Sequence, residues 1–188
     1  MILTTTRLSL KPHSLHNAKA LTVWENDPEL LRLNSDQPAP DKPQTVEETR
    51  HYLEGLMDPV VETSDHYAIH LRKSDRFIGY GTIAFIDRFN RTAKLSIVIG
   101  LREEWRKGLA TEALAAVFDY SFRTLELNRL GAEIFLFNTA SIALFKKLGF
   151  VQEGRLRETI RKDGTFFDEL VFGLLKTEWK TAKRGPVP

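Results

Sequence analysis

The stretch EWRKGLATEAL, residues 104–114, places two cations and a glycine directly ahead of a run with helical spacing. The first turn of a helix leaves its backbone N–H groups without internal acceptors and carries the positive end of the helix dipole. Arg106 and Lys107 add charge, Gly108 has no side chain to hold an anion away, and Ala110 is nearly as small. The chemistry on offer is therefore the binding of a phosphate or diphosphate. The same residues also fit a tight turn with solvated cations, and a short Gly/Ala pattern does not decide between the two. Neither Gly-x-x-x-x-Gly-Lys-Ser/Thr nor Gly-x-Gly-x-x-Gly occurs, which sets nucleotide hydrolysis and hydride transfer aside. Glu133 is a second oddity, a carboxylate within the apolar run GAEIFLF. It fits either a cleft or a solvent-facing, salt-bridged strand position. His66 and His70 are four apart, which in a strand merely puts them on one face; with no cysteine and no third clustered histidine, no metal is expected.

These residues need a scaffold that the chain can build unaided. Its 188 residues suit one domain with its own hydrophobic core, and 42% apolar with 28% charged residues lies outside the composition of disordered chains. Lys and Arg (27) nearly balance Asp and Glu (25), so no nucleic-acid partner is implied. The lack of cysteine removes disulfides, thiolate catalysis and cysteine-ligated zinc, and fits a reducing, cytoplasmic setting. There is no apolar run of about 18 residues and no signal-like N-terminus, so neither membrane association nor secretion is expected.

Leu3 to Leu10 reads as a first strand closed by Pro12, and SLHNAKALTVWEND as a helix capped by Ser14 that stops before Asp27-Pro28. NSDQPAPDKPQ reads as an irregular loop, followed by the capping box Thr45-x-x-Glu48 and a helix through Leu56. HYAIHLR, RFIGYGTIAFID and AKLSIVIG form an antiparallel meander. Ala110, Ala113, Leu114, Val117, Phe118, Ser121, Phe122 and Leu125 then repeat at helical spacing. RLGAEIFLF is a buried strand, TASIALFKKLGF a helix ended by Gly149, and two last strands turn at Lys162-Asp163-Gly164. A single domain over residues 1–180 with a tail at 181–188 is expected.

EWRKGLATEAL resembles the acetyl-CoA pyrophosphate loop of the GNAT N-acetyltransferases, Arg/Gln-x-x-Gly-x-Gly/Ala, with Gly108 and Ala110 as the last two anchors and Trp105 in place of the Arg or Gln. NTASIALFKKLGF resembles the family's Asn-x-x-Ser/Ala…Gly-Phe segment, and EGRLRETIRKDGTFFDELVFGLLKTEW the closing hairpin of the subgroup that contains ribosomal-protein N-terminal and spermidine acetyltransferases. The likeness runs from TTTRLSLKP to Trp179. It implies an α+β fold: a mixed central sheet of about seven strands, splayed between the fourth and fifth, LSIVIG and GAEIFLF, and flanked by about four helices.

The resemblance further implies acetyl-CoA as co-substrate. Main-chain groups of Val98, Ile99 and Gly100 would pair with the pantetheine arm and polarise the thioester carbonyl, and Trp105, Arg106, Lys107, Gly108, Leu109, Ala110 and Thr111 would cradle the diphosphate. Glu133 lies five residues before Asn138, the offset of the glutamate base in ribosomal-protein alanine acetyltransferases, although a water could relay the proton. Phe145 stands where many members carry a general-acid tyrosine, so the resemblance points to Ser141 as the acid; helix capping is its other reading. Asn138 is assigned to the pantetheine or to ending the strand, and Phe145 to packing along the cofactor or in the core. Trp24 and the loop after it are candidate walls of the acceptor pocket, where Asp36 and Asp41 either attract a cationic amine or are merely solvated. The implied acceptor is a primary amine, a small molecule or a protein N-terminus, and the protein a monomer or homodimer. Polyamine acetylation is disfavoured by Phe145 and by Lys94, which stands where that subgroup often has an acidic residue. A noncatalytic acetyl-CoA-binding module is the reading of a different class.

Overall fold

The computed structural model describes residues 1–37, 40–57 and 63–179. The expected first strand is two: β1 (Leu3–Thr4) and β2 (Leu8–Lys11) pair antiparallel, Leu3 opposite Leu10. The chain reverses at Thr5–Arg7 because the Thr5 hydroxyl accepts the Leu8 N–H at 2.9 Å, a local bond that competes with an extended ladder. Ser14 caps a 3-10 turn, Leu15–Asn17, that leads into α1 (Ala18–Glu25). An unexpected α2 (Pro28–Asn34) follows. Asp27 opens it by accepting the N–H groups of Glu29 and Leu30, with Pro28 at the first position, where a missing donor costs nothing. Asp27-Pro28 thus ends one helix and starts another. α3 (Val46–Met57) begins at the capping box: Thr45 Oγ1 accepts the Glu48 N–H at 3.2 Å and the Glu48 carboxylate accepts the Thr45 N–H at 2.7 Å. Residues 38 and 39 of the intervening segment lie outside the described residues, as does the tail 181–188.

β3 (Asp65–Leu71), β4 (Phe77–Asp87) and β5 (Thr92–Ile99) form the meander. α4 (Leu109–Arg123), β6 (Arg129–Phe135) and α5 (Thr139–Lys147) come next. β7 (Val151–Lys162) and β8 (Thr165–Leu175) close the sheet through Asp163 and Gly164, at φ 48° and 80°, the left-handed pair that a two-residue hairpin turn requires. Among the described residues the sheet has eight strands in the order β1-β2-β3-β4-β5-β6-β8-β7, one more than expected because the first strand is split. Every neighbouring pair is antiparallel except β5 and β6.

Side-chain alternation sends successive strand residues to opposite faces. Tyr67 and Ile69 join the core beneath α4, with Ala113, Leu114, Val117 and Phe122. Ala68 and Val98 join a second core on the other face with Trp24, Leu53 and Phe77, beneath α1 and α3.

A polar group intrudes on that second core. His13 is 7% exposed, lies edge-on to Phe77 at 6.3 Å, and its Nδ1 has no partner. Burial, reinforced by the charges of His66 and His70, moves its pKa from 6.5 to about 4. The unfolded chain takes up this proton below about pH 6.5 and the folded chain only near 4, so stability falls as pH drops through that window. The whole shift is worth about 3 kcal/mol. His66, also lowered by burial, adds in the same direction. Thermal melts between pH 6.5 and 4.5 should therefore show a falling midpoint in the native chain and a flatter one in His13→Leu; equal slopes would assign the effect elsewhere.

Candidate active site

The loop between β5 and α4 is held from three sides. The Trp105 indole N–H donates to the Ile99 carbonyl at 2.6 Å, tying the loop to the end of β5. Arg102 stacks 5.5 Å over the Trp105 ring and binds Asp27 at 2.7 Å as well as Glu29, which bolts the loop to the start of α2. Arg7 donates to the Lys107 carbonyl at 2.9 Å and to Glu112 at 2.6 Å. Within this frame Arg106 and Gly108 take positive φ, 58° and 75°. The first helical bond of α4 runs from the Glu112 N–H to the Gly108 carbonyl, so the N–H groups of Leu109, Ala110 and Thr111 have no helical acceptor. Gly108 caps the helix without a side chain, and a Cβ there would meet only Arg7, at 3.7 Å. The corner is open and presents backbone donors at a helix dipole's positive end. Lys107 turns its ammonium to Glu104 at 3.1 Å, which offsets part of its charge.

Beside this corner the sheet comes apart. β5 and β6 pair at three positions, Thr92–Arg129, Ala93–Leu130 and Lys94–Gly131, and then diverge. The gap is a cleft of about 420 Å³, with Leu95 to Ile97 on one wall, Ala132 to Phe135 on the other, and α5 alongside. The antiparallel ladder with β4 decides which main-chain groups face it. The Gly100 N–H donates to the Ile78 carbonyl at 2.9 Å, and Val98, in step with it, also pairs toward β4. The donors turned to the gap are those of Ile97 and Ile99. None of the trio Val98, Ile99 and Gly100 lines the cleft itself; only Ile99 turns its main-chain groups away from β4 to the gap side, and its carbonyl is already occupied by Trp105. Gly100 has a packing reason: a Cβ there would lie 2.0 Å from the Trp24 ring. Trp24 itself is buried against Phe77 at 4.7 Å in the second core, not in a pocket wall.

The cleft gathers Glu133, Asn138, Ser141 and Phe145. Glu133 is half-exposed and bonded to Lys94 Nζ at 2.6 Å, so it occupies the cleft and carries a salt bridge at once. Asn138 caps α5, its Oδ1 accepting the Ser141 N–H at 3.1 Å, while its Nδ2 donates to the Leu33 carbonyl at 3.1 Å. The cap is thus Asn138, which leaves the Ser141 hydroxyl free of that duty. Phe145 lines the cleft yet belongs to the core, edge-on to Phe150 at 5.0 Å.

Two cleft residues escape sequence reasoning. Glu169 becomes a diagonal neighbour of Glu133 because β6 and β8 pair Glu133 with Val171 and Phe135 with Glu169. Burial raises its pKa, the charges of Glu133 and Asp36 raise it further, and Lys94 opposes them. Phe85, at φ 52° where the β4–β5 ladder loses register, stands 71% exposed at the mouth with Lys94 Nζ 5.6 Å above its ring. An exposed aromatic in left-handed backbone is a sign of function that spacing cannot show. Asp36 lies in the cleft lining, whereas Asp41 is exposed and absent from it.

The family description "Acetyltransferase (GNAT) domain" matches residues 7–151. The uncharacterized N-acetyltransferase p20 of Bacillus licheniformis is 33% identical over 176 residues, 93% of this chain and 96% of that one. Among solved structures, spermidine N-acetyltransferase from Vibrio cholerae in complex with CoA and spermine superposes with a TM-score of 0.82 at 19% identity, covering 94% of this chain and all of that one. The ribosomal L7/L12 alpha-N-protein acetyltransferase in complex with coenzyme A reaches 0.78, also at 19%, covering 93% and 98%. The two structures speak to the fold alone; the domain match and the relative in B. licheniformis carry the assignment, and the chain belongs to the GNAT acetyltransferase family.

Proposed function

We propose that this chain transfers the acetyl group of acetyl-CoA to a primary amine. The observation that carries this reading is the adjacency of two openings: an uncapped helix N-terminus at Gly108 and a strand gap that begins after Lys94–Gly131. The backbone of residues 106–111 fits a diphosphate, and the free N–H groups of Ile97 and Ile99 fit the amide-rich arm of the cofactor. When bound, acetyl-CoA supplies an activated acyl group. Donors preset in the gap meet developing negative charge without reorganisation, which needs no reactive side chain.

The attacking amine must lose a proton. Glu133 is proposed as its acceptor, directly or through water, with Glu169 as the second carboxylate within the same cleft. Ser141 is the proposed donor to the departing thiolate. The cleft lining holds three carboxylates, Asp36, Glu133 and Glu169, and one cation, Lys94, which favours a positively charged acceptor. Because Lys94 is bonded to Glu133, the cleft suits a single α-ammonium group better than a chain of several charges. The solved relatives named above include both an enzyme crystallised with spermine and a ribosomal-protein α-amine acetyltransferase.

Gly108→Ala puts a methyl group at the helix start, in a left-handed backbone conformation that alanine resists. It should raise the Kd for CoA about tenfold by calorimetry; unchanged affinity would remove the diphosphate from this corner. Glu133→Gln should lower kcat about a hundredfold with CoA affinity retained; an unchanged kcat would take Glu133 out of the proton path. A mass-spectrometric panel of N-terminal peptides, polyamines and simple amines with acetyl-CoA should yield acetylated α-amines. Tight CoA binding with no product from any amine would instead indicate a binding module.

A further inference from the structure

The geometry points to Arg7 as a positioning residue for the diphosphate loop, acting through the Lys107–Gly108 peptide; this inference rests on the reading that residues 106–111 hold the diphosphate. Arg7 sits in the turn between β1 and β2, 100 residues from the carbonyl that it binds. Its Nε donates to Glu112 at 2.6 Å, its Nη1 donates to the Lys107 carbonyl at 2.9 Å, and its Nη2 lies 3.7 Å from the place of a Gly108 Cβ. A trans peptide points its C=O and the following N–H in opposite directions. Holding the Lys107 carbonyl against the N-terminal turn therefore turns the Gly108 N–H the other way, out of the turn and into the corner.

Glu112 makes this grip stiff. Its Oε1 accepts the Thr5 hydroxyl at 2.6 Å and the Arg7 N–H at 2.8 Å, while Oε2 takes Arg7 Nε. Burial works against the carboxylate, yet the bonds from Thr5 and Arg7 outweigh it and hold its pKa below the ordinary range. Glu112 stands in the first turn of α4, so the Arg7 fork joins the helix, its cap and the loop at one point. Gly108 and Arg106 have left-handed backbones, which a free loop of this composition would exchange for others; a planar guanidinium with two fixed partners restricts that choice. The purpose of the odd two-residue strand β1 follows: it delivers Arg7 to the loop.

Arg7→Gln, Arg7→Lys and Glu112→Gln should each be compared with the native chain by calorimetric titration of CoA at low and at about 0.5 M salt, with thermal melts to verify folding. Arg7→Gln should raise the Kd about tenfold while kcat at saturating acetyl-CoA stays within about twofold, because orientation of a donor and not chemistry is lost. Arg7→Lys should not restore affinity, since one ammonium cannot span Glu112 and the Lys107 carbonyl in the same geometry, and the defect should persist at high salt. Glu112→Gln should show a smaller loss of the same kind, and it carries the test if Arg7→Gln does not fold. Native affinity in Arg7→Lys, or a defect that disappears with salt, would reduce Arg7 to a nearby charge and overturn the inference. If Gly108→Ala also binds CoA normally, the loop reading fails first; if Gly108→Ala is impaired and the Arg7 and Glu112 variants are not, only the role of Arg7 fails.

Discussion

A ladder that stops halfway governs this molecule. β5 and β6 share three registered pairs and then separate, although strands in a sheet gain by pairing along their length. The break is tolerable because each strand is held on its other side. β5 remains paired with β4 from Thr92 to Ile99, and β6 with β8 from Arg129 to Phe135. The groups left over do not all go begging, since Trp105 satisfies the Ile99 carbonyl from the loop. What remains are the alternate main-chain groups of Leu95, Ile97 and Ile99, turned to the gap and not to β4, costly if dry and useful if a ligand with amides can pair with them.

The open corner at α4 obeys the same logic. A helix that starts at a glycine forgoes only a few tenths of a kcal/mol, roughly, of the stabilisation that a Ser, Thr, Asp or Asn cap would supply. Here Glu112 sits in the first turn, favourable to the helix dipole, and two arginines fix the loop from opposite directions: Arg7 reaches in from the N-terminal turn, and the loop's own Arg102 reaches out to Asp27 and Glu29 at the start of α2. Both ion pairs are exposed enough that little global stability should be credited to them. Their contribution is geometric: they join segments distant in sequence around one short loop, so that the donors point somewhere definite before any anion arrives.

Much of this was legible in the chain. The meander, the α4 stripe, the capping box of α3 and the Asp163-Gly164 turn are local patterns, and each appears where its residues place it. The features that escape are fixed by remote partners or by local signals that read two ways. The Thr5–Arg7 reversal is secured by Glu112, and no window of β1 and β2 contains that residue. α2 is missed because Asp27-Pro28 reads as a stop when it follows a helix and as a start when it precedes one. Gly100 illustrates the limit for single residues. Its bareness is equally suited to ligand approach or to a buried ring, and only the position of Trp24 decides for the ring. Glu169 enters the cleft through strand register, which hydrophobic alternation alone does not specify across a hairpin with two irregularities.

The phenylalanine in the place of a tyrosine also has a structural answer. Phe145 is 3% exposed and packs edge-on against Phe150, which in turn contacts Phe118 of α4 at 5.6 Å. A phenol at that position would have to find a partner at the boundary of an apolar cluster or leave its oxygen unsatisfied. Ser141 lies four residues earlier on α5, hence on the same face one turn nearer the strand ends, and Asn138 takes over the capping that would otherwise engage it. The helix thus divides its two tasks between neighbours on one stripe: Phe145 seals the core, and Ser141 presents a hydroxyl to the cleft that Glu133 faces from β6. The proton-donor role proposed for Ser141 draws on that placement: a hydroxyl at the helix start, in the cleft lining and clear of the core, does not bury an unsatisfied oxygen.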